Sequence, residues 1–171
     1  DKGITMALCI KEQVFSSVKK YTITDESGQL RYTTEGRAKG QFIVVGNQIH
    51  IFDPLGNEVA FVHKVLSFFH PKYELIIHGE KKGAIIAKTS IFHPRYLVDF
   101  MSYRIDGKIL GWHFDIYQKD RLVAQVEPQM ISIGSIIHLS CPNPEDELPS
   151  LLLAIAIDLI GLCTNIGFDF N

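Results

Sequence analysis

The chain has 171 residues, of which 46% are hydrophobic and 21% are charged, and its net charge at pH 7 is −2. This is the composition of a globular protein and excludes a disordered chain, while the small negative charge argues against dedicated nucleic-acid binding. The length predicts a single domain. The charge is uneven, with +3 on residues 1–100 and −5 on residues 101–171, which allows a basic surface on the first half.

The N-terminus and the cysteines indicate the compartment. Residues 1–6 are predicted to be an expression remnant or a disordered N-terminus, and residues 1–10 lack the apolar run of a signal peptide. Cys9, Cys141 and Cys163 are odd in number and widely spaced, so no disulfide framework is predicted. We therefore expect a cytoplasmic location, with residues 7–171 forming the one domain.

Most of the chain, from residue 7 to about residue 140, predicts short strands separated by turns. Apolar and polar residues alternate in many of these segments, so one face of the sheet is predicted to be dry. About twelve strands are expected. The segments are 8–14, 21–25, 30–35, 42–45, 49–53, 58–64, 73–78, a strand ending at Lys88, 96–100, 103–107, 112–118, 121–127 and 135–139.

Two internal repeats punctuate the strands. An Asp-x-x-Gly turn occurs at 25–28 and again at 53–56, where aspartate can bond the turn backbone and glycine supplies a positive φ. The segment Phe-His-Pro-Lys-Tyr at 69–73 recurs as Phe-His-Pro-Arg-Tyr at 92–96. The prolines predict strand starts or edges, because a missing backbone donor does no harm there.

One convincing helix is predicted, at about residues 148–163, and it has no wide polar face. Such a helix must be buried in protein or in a membrane. Sixteen residues span roughly 24 Å, which is short for a bilayer, and Asp158 would be costly inside one. We therefore predict burial in protein, no transmembrane span, and a buried Asp158 bonded to backbone amides. A proton-transfer or metal role for Asp158 is the alternative.

A sheet with one dry face needs a cover, and the chain offers a single apolar helix. The fold class predicted is mainly β with one helix: a closed antiparallel barrel of about twelve strands around a central C-terminal hydrophobic helix. A closed barrel also removes exposed strand edges.

Catalytic and metal motifs are missing from the sequence. There is no nucleophile elbow, phosphate-binding loop or dinucleotide fingerprint, and none of the seven histidines has zinc-ligand spacing. We predict no enzymatic activity, no cofactor and no metal site. Hydrolase activity would need a substrate panel to reveal it.

Basic residues flank the two Phe-His-Pro segments. If adjacent hairpins bring them together, they form a positive patch at one rim of the barrel that could hold lipid phosphates. The alternative is that they are ordinary solvated side chains. The four residues are Lys64, Lys72, Lys88 and Arg95.

The Asp-x-x-Gly hairpins, the Phe-x-Pro repeats, the segment Val-Ala-Gln-Val at 123–126 and the helix sequence at 151–158 together resemble the LURP-one-related proteins. The resemblance covers residues 7–163 and implies membership of the Tubby C-terminal-like superfamily, which includes phospholipid scramblases. It implies a twelve-stranded barrel around a hydrophobic helix. Tubby domains bind phosphoinositide head groups at a basic surface, but their ligand residues do not match positions here.

The resemblance leaves two functions open. One is a module that binds an anionic ligand, such as a phospholipid head group, peripherally at a membrane. The other is a protein-interaction or structural module that uses exposed hairpins or the loop at 141–144. The palmitoylated cysteine cluster and calcium loop of scramblases are not found in the sequence, which argues against scramblase activity.

Overall fold

A computed structural model describes residues 6–13, 20–37, 48–65, 72–88, 95–130 and 135–160. These residues form twelve strands, a short 3-10 helix at Pro144–Asp146 and one α-helix, α1, at Glu147–Leu159. The strands are β1 Met6–Glu12, β2 Tyr21–Asp25, β3 Leu30–Arg37, β4 Gln48–Phe52, β5 Glu58–Val65, β6 Lys72–Ile77, β7 Glu80–Lys88, β8 Arg95–Phe100, β9 Tyr103–Lys108, β10 His113–Gln118, β11 Arg121–Met130 and β12 Ser135–Cys141.

The twelve strands form one antiparallel sheet in the order β8-β7-β6-β5-β4-β3-β2-β1-β12-β11-β10-β9. The chain goes up and down, and β1 closes against β12 with Leu8 opposite Leu139. The sheet curls into a nearly closed barrel. The predicted fold class is therefore confirmed, with one refinement. Among the described residues, β8 and β9 pair with β7 and β10 but form no ladder with each other, so a seam remains in the wall.

Helix α1 fills the barrel. The predicted range was 148–163. The helix begins one residue earlier, at Glu147, and also ends earlier, at Leu159. Gly161, a weak helix former, follows the C-cap residue Ile160 and favours this earlier end. Residues 151–157 are at most 1% exposed, so the helix is buried on every side, as its apolar sequence requires.

The barrel wall meets the helix with one face of each strand. In β10, Phe114 and Ile116 are buried, while His113 is exposed and Asp115 is partly exposed, as their alternation predicts. The alternation is interrupted in β6 by a register shift between Leu75 and Ile76. A bulge of this kind lets consecutive residues face the interior.

The repeated Asp-x-x-Gly turns have the same geometry. Gly28 and Gly56 both have φ of +85°, and each glycine N–H donates to the aspartate carbonyl three residues earlier at 3.0 Å. The Asp25 and Asp53 carboxylates accept backbone N–H groups two and four residues later at 2.9 Å. The Ser27 hydroxyl donates to Asp25 and the Asn57 side-chain amide donates to Asp53. These side-chain bonds, and then the backbone ones, lower the pKa of both carboxyl groups.

Several sequence predictions fall on residues that lie outside the described parts of the chain. They are the strand at 42–45, the Phe-His-Pro segments at 69–71 and 92–94, the N-terminal residues 1–5, and Cys163.

The two ends of the barrel differ in their relation to the helix. Glu147, the first residue of α1, accepts a hydrogen bond from Arg31 near the start of β3. Asp158, in the last turn, accepts one from Tyr21, the first residue of β2. We call the end where the helix begins the upper end, and the end where it finishes the lower end.

Candidate functional site

Charged residues at the strand termini separate by sign between the two ends. In an up-and-down barrel, odd-numbered strands finish and even-numbered strands start at the same end, which here is the lower end. Five of its twelve strand termini are basic and one, Glu12, is acidic. At the upper end three termini are acidic and one is basic. The basic termini of the lower end are Arg37, Lys72, Lys88, Arg95 and Lys108.

The backbone brings the four sequence-predicted basic residues to the lower ends of four consecutive strands, β5 to β8. Lys88 pairs in register with Arg95, and Lys72 pairs with Val65, the neighbour of Lys64. The side chains of Lys88 and Arg95 lie outside the described parts of the structure. That these four residues bind a ligand stays a prediction.

Lys64 and Lys72 lie on different faces of the wall. Lys64 continues the inward alternation of Ala60 and Val62, which are at most 1% exposed. A lysine at the rim of a core can keep its ammonium group in water while its stem packs on apolar surface. Lys72 lies on the outer side, where its Nζ is 3.8 Å from the Glu74 carboxylate.

Glu74 is the acidic residue that contacts Lys72, but its carboxylate also contacts two other side chains. Lys81 Nζ donates to Glu74 Oε1 at 2.6 Å. His63 Nε2 lies 3.3 Å from Glu74 Oε2. The pKa of Glu74 is lowered, chiefly by the hydrogen bond from Lys81. Among the described residues, neither Lys64 nor Lys108 has an ion-pair partner within 4.0 Å.

Sequence reasoning missed part of the lower end. Arg37 and Lys108 terminate β3 and β9 there, and Lys11 and Lys20 lie beside the termini of β1 and β2. Neither Arg37 nor Lys108 belongs to a repeated segment, so the repeats gave no signal for them. The signal was available in the strand order, because alternate ends of successive strands must meet in an up-and-down barrel.

The upper end carries two buried acidic residues that are clamped by arginine and tyrosine. Arg121 binds Asp146 with both terminal nitrogens, at 2.5 and 3.3 Å, and Tyr103 donates to the same carboxylate at 3.3 Å. The Asp146 side chain is 5% exposed. Burial, with the carboxylate beside it, raises the pKa of Tyr103.

The second clamp holds the neighbouring residue, Glu147. Arg31 Nη2 and the Tyr32 hydroxyl donate to Glu147 Oε1 at 2.7 and 2.9 Å. Burial and the nearby carboxylate raise the pKa of Tyr32 to about 12. Both clamps join the start of the helix to the wall, so they serve to fix the helix in the barrel.

Asp158 is buried as predicted, and the hydroxyl of Tyr21 donates to its carboxylate. The expected bonds from backbone amides stay a prediction. A buried carboxylate needs such a donor.

Burial raises the pKa of the Cys141 thiol to about 12, so this cysteine is a poor nucleophile at neutral pH. In the part of the chain that the structure describes, no three His, Cys, Asp or Glu residues form a possible metal site.

The described part of the chain contains no helix with the length and apolar character needed to cross a membrane. The strand termini of the lower end have a clear chemical character, since five are basic and one, Glu12, is acidic. Lysine and arginine bind phosphate and carboxylate groups through charge-assisted hydrogen bonds.

Comparisons with known proteins agree with this architecture. A crystal structure of an Arabidopsis thaliana protein superposes with a TM-score of 0.60 at 15% identity, covering 92% of this chain and 93% of that one. The uncharacterized protein YxjI of Bacillus subtilis is 24% identical over 153 residues, which are 90% of this chain and 92% of YxjI. The family model described as LURP-one-related matches residues 6–157. The chain therefore belongs to the LURP-one-related family.

Proposed function

We propose that this chain is a non-enzymatic module that binds an anionic ligand, a phospholipid head group, at the lower end of its barrel. The observation that carries the proposal is the separation of charge between the barrel ends, with five basic strand termini and one acidic terminus at the lower end. The proposal includes the relationship to Tubby C-terminal-like proteins and a cytoplasmic location, peripheral at a membrane surface.

Physical chemistry supports this assignment in two ways. A cytoplasmic leaflet is negatively charged, and each lysine or arginine near it contributes about 1 kcal/mol to binding. The lower end also carries described cations that have no acidic partner of their own. Its described cations Lys64 and Lys108 have no ion-pair partner within the described residues.

Flotation of the purified chain with liposomes tests the proposal. We expect binding to vesicles that contain phosphatidylserine, weak binding to pure phosphatidylcholine, and loss of binding in high salt. Replacing Lys64, Lys72, Lys88 and Arg95 by serine should weaken vesicle binding by roughly 100-fold or more. Unchanged binding by this variant would overturn the proposal.

A matched control lies at the other end of the barrel. Replacing Lys82 and Lys119 by serine removes two positive charges near the upper end and should leave flotation unchanged. If both variants lose binding equally, only net charge matters and no site exists. If the natural chain does not float at all, the proposal fails and a protein partner becomes the working hypothesis.

A further inference from the structure

The seam between β8 and β9 contains an apolar cleft of about 300 Å³. Volumes of this size lie at the lower limit of pockets that hold small molecules. The walls are the edge strands β8 and β9, and the floor is Ile157 of the central helix. The residues that the argument uses are Tyr96, Val98, Tyr103, Ile105, Ile109 and Ile157.

The side chains that line the cleft are mainly apolar. Val98, Ile105, Ile109 and Ile157 offer only hydrocarbon. The hydroxyl of Tyr103 is already engaged by Asp146 at 3.3 Å. Arg104 borders the cleft, but its guanidinium lies 4.9 Å from the centre of the Tyr117 ring and 3.5 Å from Asp106. The interior therefore suits an apolar chain.

The direction of the cleft links it to the lower end. Tyr96 and Ile109 lie near the lower ends of β8 and β9, whereas Tyr103 lies at the upper end of β9. Phe100, whose ring packs against Tyr103, is four residue steps from Tyr96. These steps cover about 13 Å of extended strand, which suits a medium-length alkyl chain. The two bordering strands each have a basic residue at the lower end, Arg95 and Lys108. An apolar groove thus has the basic strand termini Arg95 and Lys108 at its lower mouth.

We propose that this cleft binds one alkyl chain of an anionic amphiphile whose head group lies at the lower end. The inference rests on the proposed function and makes it more specific, because it separates a ligand held by its head group alone from one held by head and chain. The charge of the mouth and the hydrocarbon lining of the groove together select the amphiphile. Neither feature would select it alone.

The test is calorimetric titration of the full chain with butyl, octyl and dodecyl phosphate, each kept below its micellar concentration. Each methylene that becomes buried should increase affinity by up to about fourfold. We expect dodecyl phosphate to bind at one site and at least tenfold more tightly than butyl phosphate. Equal affinity for the three probes would overturn the inference.

Variants locate the chain within the cleft. Val98→Trp fills the groove and should reduce the affinity for dodecyl phosphate to that for butyl phosphate. Leu55→Trp adds the same side chain at a hairpin tip that is 88% exposed, and should change nothing. If Val98→Trp does not fold, Val98→Ala, which enlarges the groove, must retain the chain-length dependence. Loss of that dependence would contradict the inference.

The two proposals can fail separately. If flotation depends on the four basic residues but affinity does not rise with chain length, the head-group site stands and the cleft proposal falls. The same negative result is expected if the seam takes an extended peptide strand, since a strand would use the backbone edges of β8 and β9 that no other described strand pairs with.

Discussion

The two ends of the barrel use charge in opposite ways. At the upper end, Asp146 and Glu147 are buried and each is held by an arginine and a tyrosine from the wall. At the lower end the strand termini are mainly basic, and the described ion pair there, between Lys72 and Glu74, is 3.8 Å long. Charge that is internally satisfied contributes to structure, whereas charge that is left facing solvent is available to a ligand. This difference is the basis on which we propose the lower end as the binding surface.

The largest effect should come from the helix, which both ends share. Ile157 is 1% exposed, so Ile157→Asp places an unpaired charge in the core and should lower the free energy of unfolding by about 4 kcal/mol. Chemical denaturation measures this loss. Ile157→Val, a matched control, should cost about 1 kcal/mol. An unchanged midpoint for the aspartate variant would contradict the central position of the helix.

The next prediction compares the ends directly. Asp146→Ala removes the acceptor of the buried Tyr103 hydroxyl and leaves the exposed Arg121 bonded to Gln118, and should cost about 2 kcal/mol of stability. Lys72→Ser, on the outer face of the lower end, should change stability by less than about 0.5 kcal/mol, as surface substitutions do. A double-mutant cycle with Arg121→Met measures the coupling at the upper end. Zero coupling would show that the clamp does not fix the helix.

Alkaline pH should weaken the upper end through Tyr32. Its pKa is raised to about 12 in the folded chain by burial and then by the Glu147 carboxylate, compared with about 10 when unfolded. The stabilisation is complete below pH 10 and is lost as pH rises towards 12. Urea unfolding across this range should reveal the loss. Tyr32→Phe should reduce the slope of the free energy of unfolding against pH. An unchanged slope would exclude Tyr32 as the source of the pH dependence of stability.

The smallest predicted effect concerns the two repeated turns. Gly28 and Gly56 both adopt φ of +85°, and a Cβ added at either position meets no atom within 4 Å. Alanine there should cost only the conformational penalty, about 1 kcal/mol at each turn. Thermal unfolding of both single variants and the double variant should give equal, additive losses. Unequal losses would mean that the turns are not equivalent.

Much of the fold could be predicted because its signals are local. The uninterrupted apolar run at 151–157 identifies a buried helix, and the Asp-x-x-Gly turns set two hairpins. The seam could not be predicted. Met101 and Ser102 form a tight turn with φ of 51° and 57°, a conformation typical of a closed hairpin, yet β8 and β9 do not pair.

The candidate site could be predicted only in part for a related reason. Lys64, Lys72, Lys88 and Arg95 attract notice because they flank a repeat, while Lys108 has no such marker. The clamps at the upper end are even harder to predict from the sequence, since Arg31 and Glu147 are 116 positions apart in the chain. Such a pair becomes visible only when the barrel has brought the start of β3 to the start of the helix.

The position of α1 after all twelve strands has a consequence for biosynthesis. The barrel wall is translated before the helix that fills it. The hydrogen bond from Tyr21 to Asp158 can form only when the chain has grown by 137 residues. Until then the inward faces of the strands have no cover, which exposes the nascent chain to aggregation. We expect a chain stopped before Leu148 to scatter light and to bind chaperones, whereas the full chain should refold slowly but alone. This protein can complete its folding only after α1 has been translated.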